Sequence, residues 1–285
     1  MNNDDLKNRR NAALAEDKCF TKGRLRDEFR MKPAPGVVPV KWYKSSYGGK
    51  YAVYRIADCI PMREKRLQTE KQRQASARLV IQARLKSEKG RCSMLAHTWL
   101  SQEPLFLDTE TTGLDAAAEV LEIGLVDALG RIVYETRLKP TVSISPEATA
   151  VHGIDDAALA DAPCWPDVAE RLQFHIGQRP LVIFNASFDM RILRQTAAAH
   201  NDAADWLGSL TTHCAMLLSA GYFGATNRYG TISLANAVSQ AGLVWTGQAH
   251  SAVTDAVMTA QVVNAIAEYY SQLQCEMREL VVSHR

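Results

Sequence analysis

Phe106-Leu107-Asp108-Thr109-Glu110-Thr111-Thr112-Gly113-Leu114 decides how the chain folds. Leu105-Phe106-Leu107 predicts a short apolar strand, and side chains two residues apart on a strand share a face. Asp108 and Glu110 therefore aim at one point near the end of that strand. Two carboxylates so close repel each other unless a cation sits between them. Taken alone, the same pair is also what an ordinary exposed strand end offers.

Working outward, two more stretches repeat the theme. In Val182-Ile183-Phe184-Asn185-Ala186-Ser187-Phe188-Asp189 an apolar strand runs into a helix, with Asp189 on its first turn. A helix start welcomes a carboxylate, so capping alone would explain Asp189. In Gln248-Ala249-His250-Ser251-Ala252-Val253-Thr254-Asp255-Ala256, His250 stands just before a helix and Asp255 within its early turns. Four carboxylates spread over about 150 residues thus sit at strand ends or helix starts. Hard divalent ions take oxygen ligands, and Mg²⁺ keeps waters and binds substrate phosphates. Two such ions about 4 Å apart can serve the attacking and leaving oxygens of a phosphodiester displacement. A histidine near the attacking water can take its proton close to neutral pH.

These three motifs, L-D-T-E-T-T-G-L, N-A-S-F-D and H-S-A-V-T-D-A, resemble those of the DEDDh, or DnaQ-like, 3′–5′ exonucleases in order and spacing. Ala150-Val151-His152-Gly153-Ile154 is similar to the family's V-H-G-I stretch. The resemblance covers roughly residues 104 to 270 and leaves out the first third of the chain. It implies a ribonuclease H-like α/β fold, with a mixed five-stranded sheet and helices on both faces. It implies that Asp108, Glu110, Asp189 and Asp255 hold two Mg²⁺ or Mn²⁺ ions and that His250 is the general base. It implies that Thr111 and Leu114 meet the terminal nucleotide, Leu114 against its base, and that His152, Asn185 and Phe188 line the channel. A loop histidine held by hydrogen bonds is the competing reading of His152. The implied activity is release of nucleoside 5′-monophosphates from 3′ ends of nucleic acid, single-stranded DNA first among them. The alternatives are an RNA-trimming exoribonuclease and a DNA-binding regulator with a vestigial nuclease site.

The remaining strands and helices fit an α/β domain. Val120 to Val126 and Arg131 to Leu138 flank Ala128-Leu129-Gly130 as a hairpin, and Leu181 to Phe184 reads as a buried strand. The fifth strand, near residues 208 to 213, is only faintly patterned. Helices are expected over Trp165 to Ile176, Phe188 to His200, Ser233 to Ala241 and Asp255 to Val281.

The chain of 285 residues has a net charge of only +2, but the charge is unevenly spread. Residues 1 to 97 carry 23 Lys and Arg against 10 Asp and Glu, and the remainder carries 10 against 21. Such a split predicts two modules, a basic one suited to phosphates and an acidic one suited to metal. We divide the chain into a small basic domain over 1–61, a basic helical linker over 62–97 and a nuclease domain over 98–285. In the first, a helix over Lys22 to Arg30 stops at Pro33-Ala34-Pro35-Gly36. Val37 to Tyr43 and Tyr51 to Tyr54 flank Gly48-Gly49 as a hairpin, and Arg55 to Ile60 is expected to open another helix. Helix, hairpin and helix weakly resemble a winged-helix unit of the MerR or excisionase type. Residues 62 to 89 lack Gly and Pro and predict one long exposed helix that ends at Gly90.

Apolar residues make up 47% and charged residues 22%, which excludes wholesale disorder. No apolar stretch reaches the ~20 residues of a membrane span, and Met1 to Arg10 is too polar for a secretory signal. The six cysteines form no C-x-x-C pair, which argues against a zinc ribbon or disulfide framework and predicts reduced thiols in the cytoplasm. Nucleic acid is the expected partner, and no protein partner is indicated.

Overall fold

The computed structural model describes residues 3–45, 48–63, 69–245, 247 and 250–282. The chain forms two compact units, Met1–Thr69 and Glu70–Arg285, each with its own core.

The first unit runs α1 (Asn3–Ala15), β1 (Cys19–Thr21), α2 (Lys22–Phe29), β2 (Met31–Pro33), β3 (Lys41–Lys44), β4 (Lys50–Arg55) and β5 (Cys59–Pro61). Thr21 caps α2 by accepting the Arg24 N–H at 3.3 Å, and Arg30 ends the helix in the left-handed region at φ 49°. β1, β4 and β3 form an antiparallel sheet in that order, while β2 pairs with β5. Phe20, Leu25, Phe29, Tyr54 and Ile56 fill the core. The helix expected from Arg55 to Ile60 is not formed. A single 3₁₀ turn, Ile56–Asp58, buries Ile56, and the chain then extends as β5 along β2. Pro61 cannot donate to a helix, and Ile60 favours the extended form. The unit is therefore a small α+β fold in which the described residues after the hairpin hold no second α-helix.

The second unit opens with α3 (Glu70–Lys86) and α4 (Glu88–Leu100). These replace the single exposed linker helix, of which residues 64–68 lie outside the described residues. The break falls at Ser87, whose hydroxyl caps α4 by accepting the Gly90 N–H at 3.1 Å. Gly90 does not stop a helix. It lies in the first turn of α4, where a Cβ would sit 2.2 Å from the Arg84 carbonyl oxygen. Both helices pack on the C-terminal helix, while most of α3 stays exposed as expected. Ile81 is buried, and the Arg84 guanidinium donates to Glu276 at 2.7 Å and to the Tyr269 hydroxyl at 3.2 Å.

There follow β6 (Leu105–Thr111), β7 (Val120–Asp127), β8 (Ile132–Arg137), α5 (Pro146–His152), α6 (Trp165–Ile176), β9 (Leu181–Ile183) and α7 (Ala186–Ala199). The unit closes with α8 (Trp206–Ser209), β10 (Thr212–Cys214), α9 (Ala215–Phe223), α10 (Leu234–Gln240) and α11 (Ala252–Val282). The sheet order is β10-β9-β6-β7-β8. β7 is antiparallel to both neighbours, and β6, β9 and β10 are parallel. This is the mixed five-stranded, ribonuclease H-like sheet the sequence led us to expect. Alternation along β6 divides the core: Leu105 and Leu107 join Trp165, Leu172 and Leu193 on one side, while Phe106 joins Trp99, Leu218 and Ile266 on the other. The faint fifth strand is the three-residue Thr212–Cys214, shifted slightly past its expected place and too short for alternation to show. No helix among the described residues is long and apolar enough to cross a membrane.

Candidate active site

β6 presents Asp108 and Glu110 on the face that carries α11. Opposite them on β7 stand Gly124 and Glu122, through the register pairs Asp108↔Gly124 and Glu110↔Glu122. Gly124 is what lets α11 come down onto the sheet. A Cβ there would lie 2.4 Å from the carbonyl carbon of Ala252 and the nitrogen of Val253, a distance that backbone cannot tolerate. Glu122 fixes the same contact from the side. It accepts the Ala252 N–H at 3.0 Å and is itself held by the Arg137 guanidinium at 3.0 Å. The start of α11 is thereby set over β6, and Asp255 arrives beside the first two acids. Ligand atoms of Asp108, Glu110 and Asp255 all lie within 4.8 Å of one another.

The fourth acid comes from the other side of the sheet. Asp189, buried on the first turn of α7, accepts the Thr109 hydroxyl at 2.9 Å. With the other three it lines a cleft of about 200 Å³ that Thr109, Phe184, Asn185, Phe188, Leu234 and His250 complete. His250 is exposed and adopts φ 62°, a left-handed conformation uncommon outside glycine. Its N–H donates to Asp255 at 3.3 Å, so the backbone kink before α11 is tied to the acid cluster. Gln248 and Ala249 of the third motif lie outside the described residues.

Burial pushes all four acids up, and repulsion from neighbouring carboxylates adds to it at Asp108 and Glu110. Desolvation, then Asp189 and Asp255, hold the Asp108 carboxyl well above its usual range. Glu110 is raised to about 8 by desolvation, with Asp255, Glu122 and Asp189 adding to it. Asp189 is raised to about 7 by desolvation, against the Thr109 hydrogen bond that lowers it. Asp255 is raised by burial, partly offset by the His250 N–H. A divalent cation would reverse all four shifts, and an all-oxygen donor set suits a hard ion. The residues present thus fit a divalent metal.

The remaining expected residues are placed differently. Thr111 is buried at the end of β6, its hydroxyl donating to the Gly113 carbonyl at 2.8 Å. Leu114 follows on the connecting loop, with 77% of its surface exposed. His152 is buried and does not line the cleft. Its Nδ1 accepts the Ile154 N–H at 3.0 Å, which leaves the Nε2–H to donate to the Thr111 carbonyl at 3.2 Å. Both ring nitrogens are spent on backbone, and burial lowers the pKa of the ring. Glu122, Gly124 and Thr109 were missed from sequence. The first two had a signal: a carboxylate and a glycine interrupt the otherwise apolar Val120-Leu121-Glu122-Ile123-Gly124-Leu125-Val126.

Residues 105–263 match the family model described as "Exonuclease" (RNase_T). The chain belongs to the DEDDh, DnaQ-like exonuclease family. It is a 3′–5′ exonuclease. An uncharacterized exonuclease, CP81, of Escherichia phage 186 is 38% identical over 182 residues, spanning 62% of this chain and 94% of that one. The uncharacterized protein pSLT049 of Salmonella typhimurium is 70% identical over 122 residues, 43% of this chain and 88% of its relative. Among solved structures, exonuclease X in complex with 5′ overhanging duplex DNA is 29% identical with a TM-score of 0.44, covering 59% of this chain and 92% of that one. Within this exonuclease, the carboxylate group around Asp108 is a place that could bind metal.

Proposed function

We propose that this exonuclease removes nucleoside 5′-monophosphates from the 3′ ends of single-stranded DNA, with Asp108, Glu110, Asp189 and Asp255 holding two Mg²⁺ or Mn²⁺ ions. The observation that carries the reading is the convergence on one cleft of His250 and four carboxylates, all raised by burial and two of them, Asp108 and Glu110, also by neighbouring acids. When bound, the ions would lower the pKa of a water and stabilise the leaving oxygen. His250, exposed and lining the cleft, would take a proton from the attacking water. Asp189 is held by Thr109, and Asp255 by the backbone of His250, so both acids are oriented before substrate arrives. Leu114, exposed on its loop, offers an apolar surface to the terminal base. Phe188 and Asn185 flank the sugar and phosphate. His152 acts as a positioning residue that fixes the Thr111 carbonyl and with it the backbone beside the terminal nucleotide. The six cysteines are unpaired, in keeping with the cytoplasmic location we propose. In the domain order we propose, the basic first unit delivers nucleic acid to the nuclease.

The test is digestion of end-labelled DNA and RNA oligomers of matched sequence with and without Mg²⁺. Metal-dependent release of mononucleotides from the DNA 3′ end, lost in Asp108→Asn, supports the reading. Preferential digestion of RNA would redirect the activity to RNA trimming. Sequence-selective duplex binding with no turnover in Mn²⁺ would replace the enzyme with a regulator.

A further inference from the structure

The first unit carries a surface that its own packing leaves incomplete. On the β3–β4 hairpin, Trp42, Tyr43 and Tyr51 are exposed, Trp42 over 60% of its surface. Cross-strand pairing puts Trp42 opposite Ala52 and Lys44 opposite Lys50, so Trp42, Lys44 and Lys50 share one face. On the opposite face Tyr43 and Tyr51 stack at 5.6 Å, with the Lys41 ammonium 5.2 Å from the Tyr43 ring.

Grooves lie on both sides of Trp42. One, of about 540 Å³, is lined by Trp42, Tyr43, Lys44 and Lys50, and the other, of about 330 Å³, reaches Lys22 and Gly23 at the start of α2. Both fall in the ~300–1,000 Å³ range of ligand-sized clefts. No carboxylate answers the charge on this surface among the described residues, although Lys22 and Lys41 sit over the Tyr54 and Tyr43 rings. The acids of the unit that form ion pairs take Arg9, Lys18, Arg24, Arg26 and Arg55. Among the described residues no carboxylate pairs with Lys22, Lys41, Lys44 or Lys50.

We propose that this face of the hairpin, with the start of α2, is a second nucleic-acid contact that stacks an unpaired base on Trp42 and holds flanking phosphates with Lys22, Lys44 and Lys50. An exposed indole among ammonium groups that no carboxylate neutralises fits a strand whose bases are free to stack and whose backbone is anionic. A duplex hides its base faces and would use the lysines alone. The proposal rests on and deepens the reading of the enzyme as a DNA exonuclease, because it names further residues that hold the strand.

The full-length protein is titrated in EDTA, which suppresses cleavage, against a fluorescein-labelled single-stranded thymidine 20-mer and a duplex of equal length. Stacking of one base is worth about 1–3 kcal/mol. Trp42→Ala should therefore weaken single-strand binding at least about fivefold, and Trp42→Phe, which keeps a ring, should retain most of it. Lys44→Ala with Lys50→Ala should lower the steepness of the salt dependence by about 0.7 per lost phosphate contact. Thermal melts confirm that the exposed substitutions leave the fold intact. Unchanged affinity and salt slope in both variants overturn the proposal, as does a Trp42→Ala loss of the same size on duplex. Turnover of a short oligomer in Mn²⁺ is read in parallel and should be unaffected by these substitutions. Its absence in the wild type would fail the exonuclease reading while leaving the binding result standing.

Discussion

The cleft at Asp108 and the hairpin at Trp42 are electrostatic opposites within one chain. In the cleft, four carboxylates are gathered and none forms an ion pair among the described residues. On the hairpin, Lys44 and Lys50 share a face with Trp42, and among the described residues no carboxylate pairs with them or with Lys22 at the start of α2. Elsewhere some charges find partners inside the protein: Glu122 takes Arg137, and Arg84 takes Glu276. Those internal pairs fasten elements to each other. We propose that something from outside completes these two sites, a cation in the acidic cleft and a polyanion at the basic hairpin.

The comparison breaks most visibly if the cleft loses one acid. Asp108→Asn should cut metal-dependent nuclease turnover at least about a thousandfold, since groups that act as one unit fail together. Retained turnover would mean the acids are structural. His250→Ala should lower kcat about 10²- to 10⁴-fold and flatten the acid limb of the pH–rate profile, as loss of a general base does. An unaltered limb would assign the base to another group.

A subtler attack leaves every acid in place. Gly124→Ala should push the start of α11 off β7, costing about 1–3 kcal/mol of stability and weakening the response to metal. Chemical denaturation with and without Mn²⁺ reads both effects. A variant that keeps full stability and full Mn²⁺ response would show that the close approach of Ala252 does not set the site.

The smallest expected effect sharpens the comparison through pH. Glu110 and Asp189 are raised to about 8 and about 7, so the ion-free fold prefers them protonated. Their contribution to stability is fully present below the ordinary carboxyl range and is lost as pH rises through about 7 to 8. Metal needs the ionised forms and competes with those protons. The increase in Tm given by Mn²⁺ should therefore be small at pH 5 and larger at pH 8.5. A larger increase at pH 5 would contradict the raised acids.

Much of the cleft was legible because its signals are local. D-x-E on a strand, Asp189 on a helix's first turn and Asp255 after His250 each announce themselves within a few residues. Glu122 and Gly124 announce themselves only as interruptions of an apolar strand. Their meaning depends on which residue of β6 faces them and which helix lands above, and neither is written in the local pattern. His152 was legible as a residue of interest but not in its direction, which the Ile154 N–H and the Thr111 carbonyl settle. In the first unit, Arg55 to Ile60 has helix-like spacing, yet pairing with Met31–Pro33 and burial of Ile56 favour an extended chain. The break at Ser87 shows the same limit, because a good helical composition does not reveal that α3 and α4 must turn to follow α11.

Calorimetric titration of the full-length protein with Mn²⁺, near pH 7.5 and in two buffers of different ionisation enthalpy, tests the central claim most directly. The account predicts two ions bound per chain, with protons released into the buffer, and loss of that signature in Asp108→Asn. Absence of binding, binding without proton release, or the same isotherm in the variant would contradict it.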